Sequence, residues 1–139
     1  MNYAEISKYT ISFIYKSYES LDESPLDKAL RALIELRVSQ INGCSYCCNL
    51  HIADARKNNV SQKKLDLLPI WVSTKEVFSE KKVLALKWCE SITHISFEKI
   101  DELKNEMLKH FSEREIVDIT SCIAITNALN RIAISLKTL

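Results

Sequence analysis

Glycine is almost absent from this chain. Gly43 is the only one in 139 residues, and Pro25 and Pro69 are the only prolines. Tight β-turns draw heavily on both residue types, so the shortage argues against a fold of hairpins. No run of 18 or more apolar residues occurs, and no membrane-spanning helix is expected. The stretch MNYAEISKYTISFIYKSYES lacks a basic start, a long apolar centre and a small-residue cleavage site. No signal peptide is expected, and the chain is assigned to the cytoplasm. An excess of charge is also missing. Nineteen Lys and Arg against 18 Asp and Glu leave a net charge of +1. That balance gives no bulk attraction to nucleic acid or to an acidic membrane, and neither is expected as a partner. The five cysteines are odd in number and are not spread like a secreted disulfide framework. In a reducing compartment a close cysteine pair points to catalysis or metal binding rather than to a staple.

What is present fits a soluble helical protein. The hydrophobic fraction is 47% and the charged fraction 27%, both ordinary for a globular domain. The length fits one domain over residues 1–139. Leu, Ile, Ala, Lys and Glu are abundant, and these residues favour helix. The expected fold is all-α, a single-domain bundle of about six or seven helices.

Capping and periodicity place them. The first helix is expected over 3–20, with Ile6, Tyr9, Phe13 and Ile14 among its apolar positions. Ser24 as cap and Pro25 at the first helical position then open a helix to about 41. Its buried stripe is Leu26, Leu30, Leu33, Ile34, Val38 and Ile41. Asn42-Gly43 stops it. A third helix runs from about Cys44 to about Asn58, and a short one follows Ser61 and ends before Pro69. PIWVST reads as a connecting loop. Ser79 caps SEKKVLALKWCESIT, and FEKIDELKNEMLKHF is a more polar helix. Ser112 and Glu115 match a capping box for a last, strongly apolar helix to about Lys137.

The chemistry concentrates in NGCSYCCNLH, residues 42–51. Cys44 and Cys47 are three apart at a helix start, on one face and close enough for a disulfide. The positive helix N-terminus stabilises a thiolate, the reactive form. His51 lies one turn beyond Cys47 on the same face, within side-chain reach of it. Cys44 is seven residues from His51, about 10.5 Å along the axis. A general base must reach the proton it removes. The reach argument makes Cys47 the activated nucleophile and Cys44 its disulfide partner.

A CxxC alone arises by chance, and free cysteine is often buried. The pair's place at a helix start, with a histidine one turn on, carries the redox reading. Cys44, Cys47 and His51 are three potential zinc ligands, but no second CxxC or nearby histidine supplies a fourth. Neither a metal nor an organic cofactor is expected. Glu35 on the preceding helix has two readings: it orients His51 as the third group of a triad, or it pairs with Arg31.

ALIELRVSQINGCSYCCNLHIADARKNNVSQKKLDLLPIW resembles the core of the alkylhydroperoxidase D-like proteins, part of the wider carboxymuconolactone decarboxylase family. The similarity is strongest over about residues 25–95 and reaches NALNRIAI in the final helix. It implies an all-helical fold in homo-oligomers, commonly trimers or hexamers. It implies thiol-dependent reduction of hydroperoxides, with a dithiol reductant restoring the enzyme. Carried over, Cys47 attacks the peroxide, Cys44 resolves the sulfenic acid, and His51 belongs to a proton relay. In the best-known members the relay glutamate lies twelve residues before the first cysteine. That position here is Ala32; Glu35, one helical turn on, is the candidate in its place. Two other functions remain open: a redox-responsive binding or assembly module, and a decarboxylase-type lyase using His51 and Glu35 without the thiols.

Other residues carry plainer expectations. Cys48 points about 100° away from Cys47 around the helix and is expected to be buried. Cys89, Cys122, Trp71 and Trp88 are assigned to packed positions, and Tyr46 to either a pocket wall or helix-start packing. His94 and His110 belong near helix ends. Asn127, Asn130 and Arg131 form a polar patch on the last helix that serves a subunit interface or bonds to neighbouring helices.

Overall fold

Residues 1–136 are described by the structure, a computed structural model. Among them are eight α-helices and no strand. These are α1 Tyr3–Ile6, α2 Lys8–Ser20, α3 Lys28–Asn42, α4 Ser45–Lys57, α5 Gln62–Leu67, α6 Glu80–His94, α7 Phe97–His110 and α8 Glu113–Leu136. The all-α expectation holds. The additional helix arises at Ser7, whose non-helical backbone divides the first predicted helix in two.

Helix α3 is the centre of the molecule and packs on α4, α6 and α8. Its two apolar faces serve two cores. Leu30, Ile34 and Val38 join Ala85, Trp88, Cys89, Met107, Ile119, Cys122 and Ile123 in one. Ala32, Leu33 and Leu36 join Ala55, Leu65, Leu68, Trp71 and Leu86 in the other. A helix covered on both faces also buries its polar residues, and Glu35 and Ser39 are buried with the rest. A buried charge must find partners to be tolerated, which is what places the site described below.

Three local expectations change. Asp27, not Ser24, caps α3 by accepting from the Leu30 N–H at 3.0 Å. Ser24 Oγ instead donates to Asp118 Oδ2 of α8. Pro25 therefore precedes the helix rather than opening it. PIWVST is not an irregular loop: Leu68–Ser73 form 3₁₀ turns with a break at Ile70. They bury Trp71, whose indole N–H bonds Glu90 at 2.8 Å. The apolar Ile6, Tyr9 and Phe13 of the first two helices are exposed. The caps at Ser61, Ser79 and the Ser112–Glu115 box form as expected.

The last helix is expected to reach about Lys137, which lies outside the described residues. By length and composition α8 is the one described helix long and apolar enough to cross a membrane, yet it buries Asp118, Thr126 and Asn130. Asn130 donates to Ser39 and accepts from Asn42, both on α3. Asn127 accepts from Asn42 as well and donates to Thr93 of α6. The patch thus bonds α8 to its neighbours, while Arg131 lies exposed beside Asn127.

Candidate active site

The turn between α3 and α4 sets the site. Gly43 sits in the left-handed region at φ +69°, where a side chain is strained. Its N–H bonds Gln40 O, and the Cys44 N–H reaches back to Ser39 O. This pair of bonds is a Schellman motif. It ties the first motif cysteine to the end of α3. The same cysteine caps the next helix: Cys44 Sγ accepts from the Cys47 N–H at 3.3 Å.

Cys44 and Cys47 are joined in a disulfide, with Cα atoms 5.2 Å apart. Both are buried. Tyr46 and Leu50 stand exposed at the same end of α4. Cys48 is half-buried against the second core, less covered than expected. Burial pushes its thiol up. Cys89 and Cys122 are fully buried, as expected. Burial, then the charge of Glu90, pushes Cys89 up to about 12. His94 and His110 lie exposed in the last turns of their helices.

One turn past Cys47, His51 is turned inward and is only 7% exposed. Its Nδ1 lies 3.3 Å from Glu35 Oε2, across the α3–α4 packing. The pair is close but not aligned as a hydrogen bond, and Nδ1 has no hydrogen-bond partner among the described residues. Asp54 Oδ2 stands 3.9 Å from the same nitrogen.

Glu35 lies against both His51 and Arg31. Its second oxygen, Oε1, accepts from Arg31 Nε at 2.8 Å. Arg31 is held in turn by Asp22 at 2.7 Å and lies over the Tyr18 ring. The Cys122 thiol approaches Oε1 at 3.8 Å. Burial pushes the Glu35 carboxyl up, but the His51 and Arg31 side chains outweigh burial and hold it below the ordinary carboxylate value. Glu35 is therefore an anion in the protein interior, matched to one fixed cation and one imidazole. Ala32, where the family's best-known members carry the glutamate, is buried in the second core.

Sequence reasoning named Cys44, Cys47, His51 and Glu35, and the structure brings His51 and Glu35 together and joins the two cysteines. It missed Asp54 and the contact of Cys122 with Glu35. Asp54 had a signal, since it follows His51 by three residues on the same helix face. Cys122 had none, because it lies 87 positions from Glu35.

The sequence and fold are similar to those of known proteins. The profile of the carboxymuconolactone decarboxylase family matches residues 5–90. An uncharacterised Bacillus subtilis protein, YdfG, is 31% identical over 137 residues, covering 98% of this chain and 92% of that one. A crystal structure from Agrobacterium tumefaciens superimposes with a TM-score of 0.92 at 30% identity, covering 100% of this chain and 95% of the other. That protein is of unknown function, with a suggested role in antioxidant defence as an AhpD. An uncharacterised peroxidase-related protein from Silicibacter sp. TM1040 superimposes with a TM-score of 0.79 at 26% identity, over 92% of this chain and 68% of that one. With the matched profile spanning more than half its length, and the fold shared from end to end, this chain belongs to the carboxymuconolactone decarboxylase family as an AhpD-like member.

Proposed function

We propose that the protein is a thiol-dependent peroxidase that reduces organic hydroperoxides or hydrogen peroxide. The observation that carries this reading is the Cys44–Cys47 pair at the start of α4, one turn from a histidine held against a buried carboxylate. In the reduced enzyme, His51 takes the proton from Cys47, and Glu35 steadies the imidazolium that forms. The Cys47 thiolate attacks one peroxide oxygen. The O–O bond breaks, the alcohol or water leaves with a proton returned through His51, and Cys47 is left as a sulfenic acid. The Cys44 thiol then attacks that sulfur. Water leaves, and the disulfide seen here is the product. A dithiol reductant restores both thiols by exchange. No metal or organic cofactor takes part in these steps.

The helix N-terminus favours the thiolate at both cysteines. His51 distinguishes them, since it serves Cys47 across one turn. Cys47→Ser should therefore abolish peroxide turnover while the helical circular dichroism spectrum is kept. Turnover by the serine variant would end this assignment.

The same reading places the enzyme in a homo-oligomer, a trimer or hexamer, in the cytoplasm. The exposed Ile6, Tyr9 and Phe13 of the N-terminal helices and Val117 and Ile134 of α8 support association between chains. Sedimentation at micromolar concentration tests it, and a monomer there would contradict it.

A further inference from the structure

His51 and Asp54 stand three residues apart on α4 and so share a face. Glu35 of α3 meets them from across the helix packing. Glu35 Oε2, His51 Nδ1 and Asp54 Oδ2 all lie within 4.8 Å of one another. The histidine nitrogen is 3.3 Å from the first carboxylate and 3.9 Å from the second. It is buried and has no hydrogen-bond partner among the described residues. Three electron-pair donors converge there on one point. Such an arrangement is completed by a cation between them, either a proton or a metal ion.

The surroundings admit an ion. A cleft of about 480 Å³ is lined by Asp22, Arg31, Glu35, Asp54 and Lys57, and Asp54 is its solvent-exposed carboxylate. Arg31 occupies Oε1 of Glu35 and leaves Oε2 facing the histidine. Metal–ligand bonds of about 2.0–2.2 Å set tetrahedral ligand atoms about 3.3–3.6 Å apart. The Glu35–His51 spacing already matches, and Asp54, with 42% of its side chain exposed, has room to close the rest.

We propose that Glu35, His51 and Asp54 form a binding site for one divalent transition-metal ion of the zinc type, through one nitrogen and two oxygens. Three protein ligands leave a position for water from the cleft. The site contains neither motif thiol, so it is present in the disulfide form. An ion there takes the histidine nitrogen that faces Glu35, and on the peroxidase reading above it inhibits turnover. That consequence rests on the reading; the binding does not.

The test uses the full chain in its disulfide form, with Cys48 alkylated under native conditions, titrated with zinc chloride in a calorimeter. One zinc per chain is expected, with affinity reduced on the order of tenfold or more in Asp54→Asn. Circular dichroism shows whether that variant keeps its fold. Cobalt(II) supplies a second readout in the unsubstituted protein, expected as visible d–d bands without a thiolate charge-transfer band. No binding at millimolar zinc overturns the proposal. So does undiminished binding in a folded Asp54→Asn, or a thiolate band with cobalt. Peroxide turnover plays no part in these readouts, so this site and the peroxidase reading stand or fall separately.

Discussion

Glu35 Oε2 and His51 Nδ1 lie 3.3 Å apart across the packing of α3 against α4. The two residues are 16 positions apart in sequence, and each is buried. Their meeting joins a structural problem, a carboxylate inside a helix bundle, to the catalytic chemistry proposed for the cysteine pair.

That carboxylate makes stability depend on pH. Its folded pKa is lowered below the 4.5 of an unperturbed glutamate. The folded state therefore binds fewer protons than the unfolded state in that range, and stability rises with pH there. The contribution is complete above about 4.5 and fades as pH falls through the lower folded value. Glu35→Gln should cost about 3 kcal/mol at pH 7, because Arg31 and His51 lose a buried charged partner. The gap between wild type and variant should narrow below pH 4. Urea unfolding across that range measures it. A gap that widens toward acid would contradict the sign.

Gly43 isolates a backbone effect. A Cβ built there meets nothing within 4 Å, so the only obstacle to a side chain is the positive φ. Gly43→Ala should cost about 1 kcal/mol through conformational strain. The cysteine pair should keep its disulfide, because the neighbouring space is open. The urea midpoint reads the first, and thiol titration of the folded protein reads the second.

Asn130 is a buried bracket between α8 and the end of α3. It donates to Ser39 Oγ at 3.1 Å and accepts from Asn42 at 2.9 Å. Ser39 O also receives the Cys44 N–H, so this bracket steadies the turn that carries the motif. Asn130→Ala leaves Ser39 Oγ without its donor and opens a void. A loss of about 2 kcal/mol is expected. Thermal unfolding checks it, and a change within about 0.5 kcal/mol, the ordinary range of surface substitutions, would show the bracket to be dispensable.

Much of this was legible in sequence, for physical reasons that differ by residue. The Asn42-Gly43 stop and the helix start at Cys44 are local signals, because caps act within a few residues. Periodicity found the α3 stripe, but not that both faces of α3 would be covered; covering the second face takes α4, the 3₁₀ turns at Trp71 and part of α6. Ser24 and Asp27 compete for one cap, and local rules do not rank them. Asp118, 94 residues from Ser24, decides the matter by taking the serine hydroxyl. The asparagine bracket has no short-range signature, since Asn42 and Asn130 are 88 positions apart. Glu35 was legible as a candidate, while its simultaneous pairing with Arg31 and His51 required the fold.

Peroxide consumption by the reduced protein tests the proposed chemistry most directly. Cumene hydroperoxide would be supplied under a dithiol reductant, with the intact mass recorded in parallel on protein exposed to peroxide alone. The Cys44–Cys47 peroxidase predicts steady peroxide loss and a fall of about two mass units, the two hydrogens removed when a dithiol closes to a disulfide. Intact peroxide, with both thiols still reduced, would contradict it.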